Sequence, residues 1–350
     1  MAEIAILHDS FEAIGGAEYV AVTIAKIFNA PIYTSTKTID FYDNEAEIIP
    51  LITQRTNSYP IEEVRKAITF QKLRLRHEIV ISSMDKVKFY KPQDGQKHIN
   101  YTYTPPRMFY DLKHVYRDLV RFHMSVPFEL YCFCWNRALK RALNNIDEFL
   151  CISEVVEERM RRYWKVNAEV LYPPVETSKY ECKPAEDFFL YIGRLNPVKR
   201  IDIVIDAFRN LDEKLVVIGQ DRGNYSEQME KIANIDYKGE VDDEQKIDLL
   251  SRCKGVIYPP MEEDFGLVPI EAFASGKPVI GVKEGYTAYQ IQPYKNGLFI
   301  EPTMIDIIRA VKELKEIAWD SGEIEKYARQ YDLSVFSRRI KEIVKAVKEG

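Results

Sequence analysis

The chain reads as an α/β protein of two doubly wound domains, each a parallel sheet covered by helices, facing each other across a cleft. Three observations predict this. Its 350 residues exceed one ordinary core and suit two domains of about 150 to 180 residues. Short apolar runs alternate with segments of helical period along most of the length. Tyr172-Pro173-Pro174 interrupts that alternation, because two successive prolines cannot continue a helix and stiffen the backbone into a connector. The expected boundaries are residues 1–173, 174–333, and a closing amphipathic helix over 334–350. That helix carries Phe336, Ile340, Ile343, Val344 and Val347 at helical spacing and is expected to pack back at the domain junction.

In the first domain, Ile4 to Leu7 is an apolar run suited to a buried parallel strand. Gly15-Gly16 follows, then Val20, Ala21, Ile24, Ile27 and Phe28 on one helical face. Such a strand, glycine turn and helix lets backbone N–H groups approach a phosphate with no Cβ in the way. From Pro60 to Pro92 the chain is irregular and basic. Arg65, Lys66, Lys72, Arg74, Arg76, Lys86, Lys88 and Lys91 lie among apolar residues, which makes 65–91 a candidate for peripheral membrane contact. The same stretch also reads as a solvated helix face plus a buried strand over His77 to Ile81. Ile99 to Thr104 is the next strand, Pro127 to Leu143 a long helix and Phe149 to Ile152 a strand. Ser153 caps a following helix, and Glu169 to Leu171 is a last strand.

The second domain opens with the strand Phe188 to Ile192 and then Gly193-Arg194-Leu195-Asn196-Pro197-Val198-Lys199. Arg194 and Lys199 stand at the strand's carboxyl end, where guanidinium binds phosphate as a fork and ammonium as a point charge. Strands follow at Leu215 to Gly219 and Ile235 to Gly239, with Asp242 as a helix cap. Gly255 to Tyr258 leads into Glu263-Asp264-Phe265-Gly266-Leu267-Val268-Pro269-Ile270-Glu271, predicted as a loop turning at Gly266 and a short helix stopped by Gly276. That helix aims free N–H groups at the sheet's carboxyl end, a place for an anion such as a diphosphate. Glu263 and Glu271 flank the spot, and a carboxylate that accepts two hydroxyl hydrogen bonds suits a sugar diol.

This stretch, with Ala272-Phe273-Ala274-Ser275-Gly276 and Lys277-Pro278-Val279 behind it, resembles the Glu-x7-Glu signature of the retaining GT-B glycosyltransferases of family GT4. The resemblance covers almost the whole chain and is strongest from Phe188 to Val282. It implies two Rossmann-like domains, an acceptor-side one first and a nucleotide-sugar-binding one second. It also implies transfer of a hexose with retention, from a nucleoside diphosphate sugar of GDP-mannose or UDP-glucose type to a glycan or lipid-linked acceptor. On that resemblance Glu263, Arg194 and Lys199 are the catalytic residues. Glu263 meets the sugar hydroxyls, and Arg194 and Lys199 the leaving diphosphate. The donor is further held by Gly15 and Gly16, Tyr103, Gly239, Phe265, Gly266, Leu267 and the ribose-binding Glu271. Tyr103 stands where the family has a histidine beside the donor sugar. Glu284-Gly285-Tyr286-Thr287 has one glycine where relatives usually have two. A nucleotide-sugar epimerase, or a nucleotide-sugar-binding protein without turnover, shares the architecture.

No Asp-x-Asp triplet is present, so the transferase reading expects no metal and no cofactor beyond the donor substrate. The net charge of −5 gives no reason to expect nucleic-acid binding. Five cysteines lack a C-x-x-C pair, which argues against zinc and a disulfide framework. The apolar residues after Met1-Ala2-Glu3 carry no basic leader, predicting a cytoplasmic protein, membrane-associated if the basic stretch makes contact.

Overall fold

The computed structural model describes residues 3–13, 15–52, 59–114, 117 and 125–350. The chain divides into two compact units, residues 1–172 with 337–350, and residues 173–336. Among the described residues the first unit carries a seven-stranded sheet. Its strands are β1 (Ile4–Phe11), β2 (Ile32–Lys37), β3 (Ile48–Pro50), β4 (Ile79–Ser83), β5 (Lys97–Thr102), β6 (Glu148–Cys151) and β7 (Glu169–Val170), ordered β3-β2-β1-β4-β5-β6-β7. Every pairing is parallel. The helices used below are α1 (Gly16–Phe28), α2 (Tyr59–Lys72), α3 (Ser125–Ala142) and α4 (Glu154–Trp164).

The second unit holds a six-stranded parallel sheet of β8 (Phe189–Ile192), β9 (Leu215–Ile218), β10 (Ile235–Tyr237), β11 (Val256–Tyr258), β12 (Val279–Val282) and β13 (Gly297–Ile300). Its order is β10-β9-β8-β11-β12-β13. With it come α5 (Ile201–Arg209), α6 (Asp243–Arg252), α7 (Leu267–Ala274), α8 (Met304–Glu316) and α9 (Ser321–Ala328). The last helix, α10 (Leu333–Glu349), starts in this unit, and its residues from Ser337 belong to the first. Strands such as Leu215-Val216-Val217-Ile218 are apolar at every position because a parallel sheet is covered on both faces.

In each sheet the chain order reverses once, between β1 and β4 and between β8 and β11. Ligands of doubly wound sheets bind outside the strand carboxyl ends at such a switch point.

One feature lay outside the sequence reading and a second departs from it. Strand β2 carries Tyr33-Thr34-Ser35-Thr36, too polar to signal a buried strand, yet Thr34 and Ser35 are fully buried. Their hydroxyls bond to local acceptors: Ser35 donates to the Asp9 carbonyl and Thr36 to the Glu12 carboxylate at 2.5 Å. The segment from Pro60 is not irregular either. It begins with the fourteen-residue α2, and three of its cations turn inward. Lys66 meets Glu12 and Glu63 at 3.2 and 3.7 Å, Lys86 meets Glu63 at 2.5 Å, and the fully buried Lys88 meets Asp85 at 3.0 Å. Buried charge persists only when paired, so these three belong to the fold and not to a membrane-facing surface.

Candidate functional site

In the second unit, the carboxyl ends of β8, β9 and β10 each end in a glycine that lets loops touch. Gly193 N–H donates to the Ile218 carbonyl and Gly219 N–H to the Gly239 carbonyl, at 3.1 and 2.8 Å. A Cβ on Gly219 would lie 2.1 Å from the Gly193 oxygen, so only glycine fits. Gly239 has φ +72 and open space around its Cα. Arg194 follows β8, exposed and with no ion-pair partner among the described residues. Five residues on, after Asn196 caps the turn by accepting from Lys199 N–H at 3.0 Å, the Lys199 ammonium pairs with Glu263. The same ammonium sits 5.8 Å from the centre of the Tyr258 ring. Lys199 and Glu263, 64 residues apart, thus meet at the β8/β11 switch point, each about one-fifth exposed.

Tyr258, at the end of β11, is the floor of this arrangement. It is 4% exposed. Burial, and then the neighbouring Glu263 carboxylate, push its phenol well above the usual range, so it stays neutral. Its hydroxyl lies 2.7 Å from where a Gly266 Cβ would be, and Gly266 also has φ +80; glycine is required there on both counts. Gly266 is the N-cap of α7 and offers no side chain to the helix start, so the first amides of α7 are uncapped. Pro269 lacks an N–H, which leaves Leu267 and Val268 as the outward donors of that turn.

The loop after β12 closes the arrangement. Tyr286 N–H donates to the Glu263 carbonyl at 2.8 Å, and a Cβ on Gly285, φ +51, would lie 2.4 Å from that same oxygen. Arg200, itself in a left-handed conformation at φ 53, holds Glu284 with Nη2 at 3.1 and 3.0 Å and the Pro259 carbonyl with Nη1. Phe265 is 3% exposed, stacked on Tyr286 at 5.0 Å and set edge-on to Tyr331 at 5.7 Å. Its ring therefore braces the loop, which leaves only the backbone of Phe265 to meet a donor.

Glu271, in the second turn of α7, is 8% exposed and already engaged. One carboxylate oxygen accepts from Lys246 at 2.9 Å and from the Tyr180 hydroxyl at 3.0 Å. Burial works against the Lys246 charge, but Glu271 and Asp243 outweigh it and raise its pKa. Lys246, Tyr180, Tyr258 and the Arg200–Glu284 pair were missed by sequence reasoning. No local spacing links Lys246 to a glutamate 25 residues on; only the fold brings α6 beside α7.

In the first unit, Gly15 caps α1 in an extended conformation, and the end of the Glu18 carboxylate lies 2.7 Å from where its Cβ would be. Gly16 is the first residue of α1. Tyr103, just beyond β5, donates its hydroxyl proton to the Ala17 carbonyl at 3.0 Å. Burial, then the nearby Glu18, push this phenol far up, against a hydrogen bond from Ser83. The phenol therefore clamps the start of α1, and its proton is committed there instead of to a sugar hydroxyl. Beside it is the fully buried His8, which sequence reasoning passed over. Its Nδ1 is 2.8 Å from the Ser83 hydroxyl and its Nε2 3.9 Å from the Glu18 carboxylate. Gly15, Gly16, Tyr103 and His8 thus share the carboxyl end of the first sheet.

Residues 176–331 match the family described as glycosyl transferases group 1. Among curated proteins, an uncharacterized glycosyltransferase of Methanocaldococcus jannaschii is 27% identical over 168 residues, 46% of this chain and 47% of that protein. An alpha-1,3/1,6-mannosyltransferase of Dictyostelium discoideum is 26% identical over 202 residues, 44% of this chain and 48% of that protein. The matched part spans about half the length of these relatives. Among solved structures, Anabaena HepE in complex with UDP-glucose superposes with TM-score 0.75 over 98% of this chain and 99% of that one, at 15% identity, a likeness of fold. The matched segment, residues 176–331, is thus similar to the group 1 glycosyl transferases, and the two parallel sheets with this shared architecture give the chain the GT-B fold.

Proposed function

We propose that the protein transfers a hexose, with retention of configuration, from a nucleoside diphosphate sugar to a glycan or lipid-linked acceptor, and that it does so without a metal ion. The observation that carries this is the group at the β8/β11 switch point. The Lys199–Glu263 pair, Arg194 with no ion-pair partner among the described residues, and the uncapped start of α7 offer an anion two cations and a set of backbone donors. In this reading the diphosphate draws Lys199 away from Glu263, freeing that carboxylate for the sugar hydroxyls. Arg194, Lys199 and the α7 amides then stabilise the charge that grows on the leaving group. Glu271, held rigid by Lys246 and Tyr180, presents its remaining acceptor capacity to the ribose diol. The backbone around Gly239 is the contact with the base.

GDP-mannose and UDP-glucose are the leading donors, the first supported by the mannosyltransferase relative. A thermal-shift screen of nucleotide sugars tests this. A ligand bound only by the native state raises the melting temperature, by about 2.7 kcal/mol of apparent stability at a hundred times Kd. The preferred donor is expected to stand out, and to release free nucleoside diphosphate when acceptor is added. A screen in which no nucleoside diphosphate sugar shifts the transition contradicts the proposal, and epimerised donor formed without acceptor assigns the epimerase reading.

A further inference from the structure

Both members of the Lys199–Glu263 pair adjoin a residue in a left-handed conformation. Arg200, directly after Lys199, has φ 53, and Glu262, directly before Glu263, has φ 47. Neither is glycine, and this conformation is disfavoured for a residue with a Cβ, so the surrounding contacts must hold it there. For Arg200 those contacts are plain. Its Nη2 donates to both carboxylate oxygens of Glu284 at 3.1 and 3.0 Å, and its Nη1 to the Pro259 carbonyl at 3.3 Å. The pair is partly buried, its side chains 14% and 26% exposed. One guanidinium thus ties three segments: the turn after β8, the end of β11 and the loop after β12. The same segments meet through the backbone. Met261 N–H donates to the Val198 carbonyl at 2.9 Å, Tyr286 N–H donates to the Glu263 carbonyl, and a Cβ on Gly285 would lie 2.5 Å from the Glu263 nitrogen.

We propose that Arg200, acting through Glu284, is a specificity-determining positioning residue that fixes which pattern of donor-sugar hydroxyls Glu263 accepts. The inference rests on the transferase reading, in which the diphosphate draws Lys199 off Glu263. That exchange removes the side-chain tie between the two segments at the moment the carboxylate turns to the sugar. The Arg200–Glu284 pair is a separate tie and persists through it. With the Glu263 backbone held against the 284–286 loop, its carboxylate starts from one place and reaches one arrangement of hydroxyls. Recognition of hydroxyls discriminates epimers only when the acceptor is fixed, because a misplaced hydroxyl then leaves a polar group unpaired. Lysine at position 200 would be a poorer tie, since one ammonium does not repeat the fork that holds both Glu284 and the Pro259 carbonyl.

Two measurements on the full chain test it. The first is hydrogen exchange over residues 283–290, which needs no substrate. Arg200→Gly, in which the left-handed backbone suits the new residue, and Glu284→Gln are each expected to speed exchange of the Tyr286 amide about tenfold, the strength of a hydrogen bond to a charged group. The double variant is expected to exchange no faster than the singles, because all three lose one shared interaction. The second is calorimetric titration with two epimeric pairs, UDP-glucose with UDP-galactose and GDP-mannose with GDP-glucose, and with free UDP and GDP. Wild type is expected to separate the epimers of at least one pair by about tenfold or more. Either variant is expected to narrow that ratio to within about threefold while binding the free diphosphate as wild type does, and Arg200→Lys to fall between. Unchanged exchange in both variants, epimers bound alike by wild type, or a wild-type epimer ratio in the variants overturns the proposal. Free-diphosphate affinity that falls as far as sugar-nucleotide affinity also overturns it, by assigning Arg200 to the diphosphate. A wild type that binds none of these ligands removes the transferase reading and this inference with it, an outcome distinct from wild-type binding with unchanged ratios.

Discussion

Under the proposed function, Glu271 is an occupied carboxylate that still serves a ligand. Lys246 and Tyr180 take one oxygen and fix the rotamer, so on that proposal a ribose diol would meet an acceptor that is already oriented. Replacing Glu271 by Gln keeps the shape and removes the charge. The variant is expected to bind free nucleoside diphosphate roughly ten- to a hundredfold more weakly, the about 1 to 3 kcal/mol of hydrogen bonds to a charged group, as calorimetric titration would read. Affinity equal to wild type would remove Glu271 from the site. Gly285 makes a different claim. Its positive φ and the Glu263 backbone 2.4 Å from a Cβ leave no room for alanine. Gly285→Ala is expected to cost about 1 to 3 kcal/mol of stability in urea unfolding, and to lower turnover through displaced Glu263. Much of this scale was legible beforehand: the need for glycine at 266 and the cap at Asp242 follow from local chemistry, and the structure shows both. What was not legible is which groups neutralise Glu263 and Glu271. A carboxylate's partner is set by which helices the topology lays side by side, and sequence spacing does not carry that.

Among the elements, the turn after β9 depends on Asp221. Its carboxylate accepts from the N–H groups of Gly223, Tyr225 and Ser226 at 2.9, 3.2 and 2.8 Å. Burial pulls its pKa up, but these donors outweigh burial and bring it down to about 2. A carboxylate depressed in the folded state stabilises it above the unfolded value, about 3.9, and that contribution fades as pH falls through the folded value. The stability gap between wild type and Asp221→Asn is therefore expected to be constant above about pH 5 and to shrink toward pH 2. A gap independent of pH across that window would show that Asp221 acts through shape alone. The element scale also marks where the pattern misled. Strand β2, on which the pattern was silent, hides hydroxyls by bonding them to neighbouring backbone and a carboxylate, and the 60–92 segment hides cations in ion pairs, so polarity there stood in for exposure.

At the scale of the whole molecule, two doubly wound sheets, each with its own switch point, place the residues singled out in sequence at strand carboxyl ends. The alternation of apolar runs and helical periods made that architecture readable, because most of the parallel strands, covered on both faces, are apolar. The five thiols report on each unit separately. Cys134 and Cys182 are exposed, whereas burial pushes Cys151 in the first unit and Cys253 in the second up to about 12. Under native conditions a maleimide is expected to label Cys134 and Cys182 within minutes and to leave Cys132, Cys151 and Cys253 protected until denaturant opens their unit. Fast native labelling of Cys253 would contradict the packed second core. The central claim is that a nucleoside diphosphate is held by Arg194, Lys199 and the start of α7, and its most direct test is calorimetric titration in excess EDTA. The account predicts that GDP or UDP binds undiminished in EDTA, that Arg194→Ala and Lys199→Ala each weaken the diphosphate about tenfold or more, and that binding of the matching nucleoside is unaffected by either change. Binding that vanishes in EDTA and returns with manganese, or alanine variants that bind the diphosphate as wild type does, would contradict it.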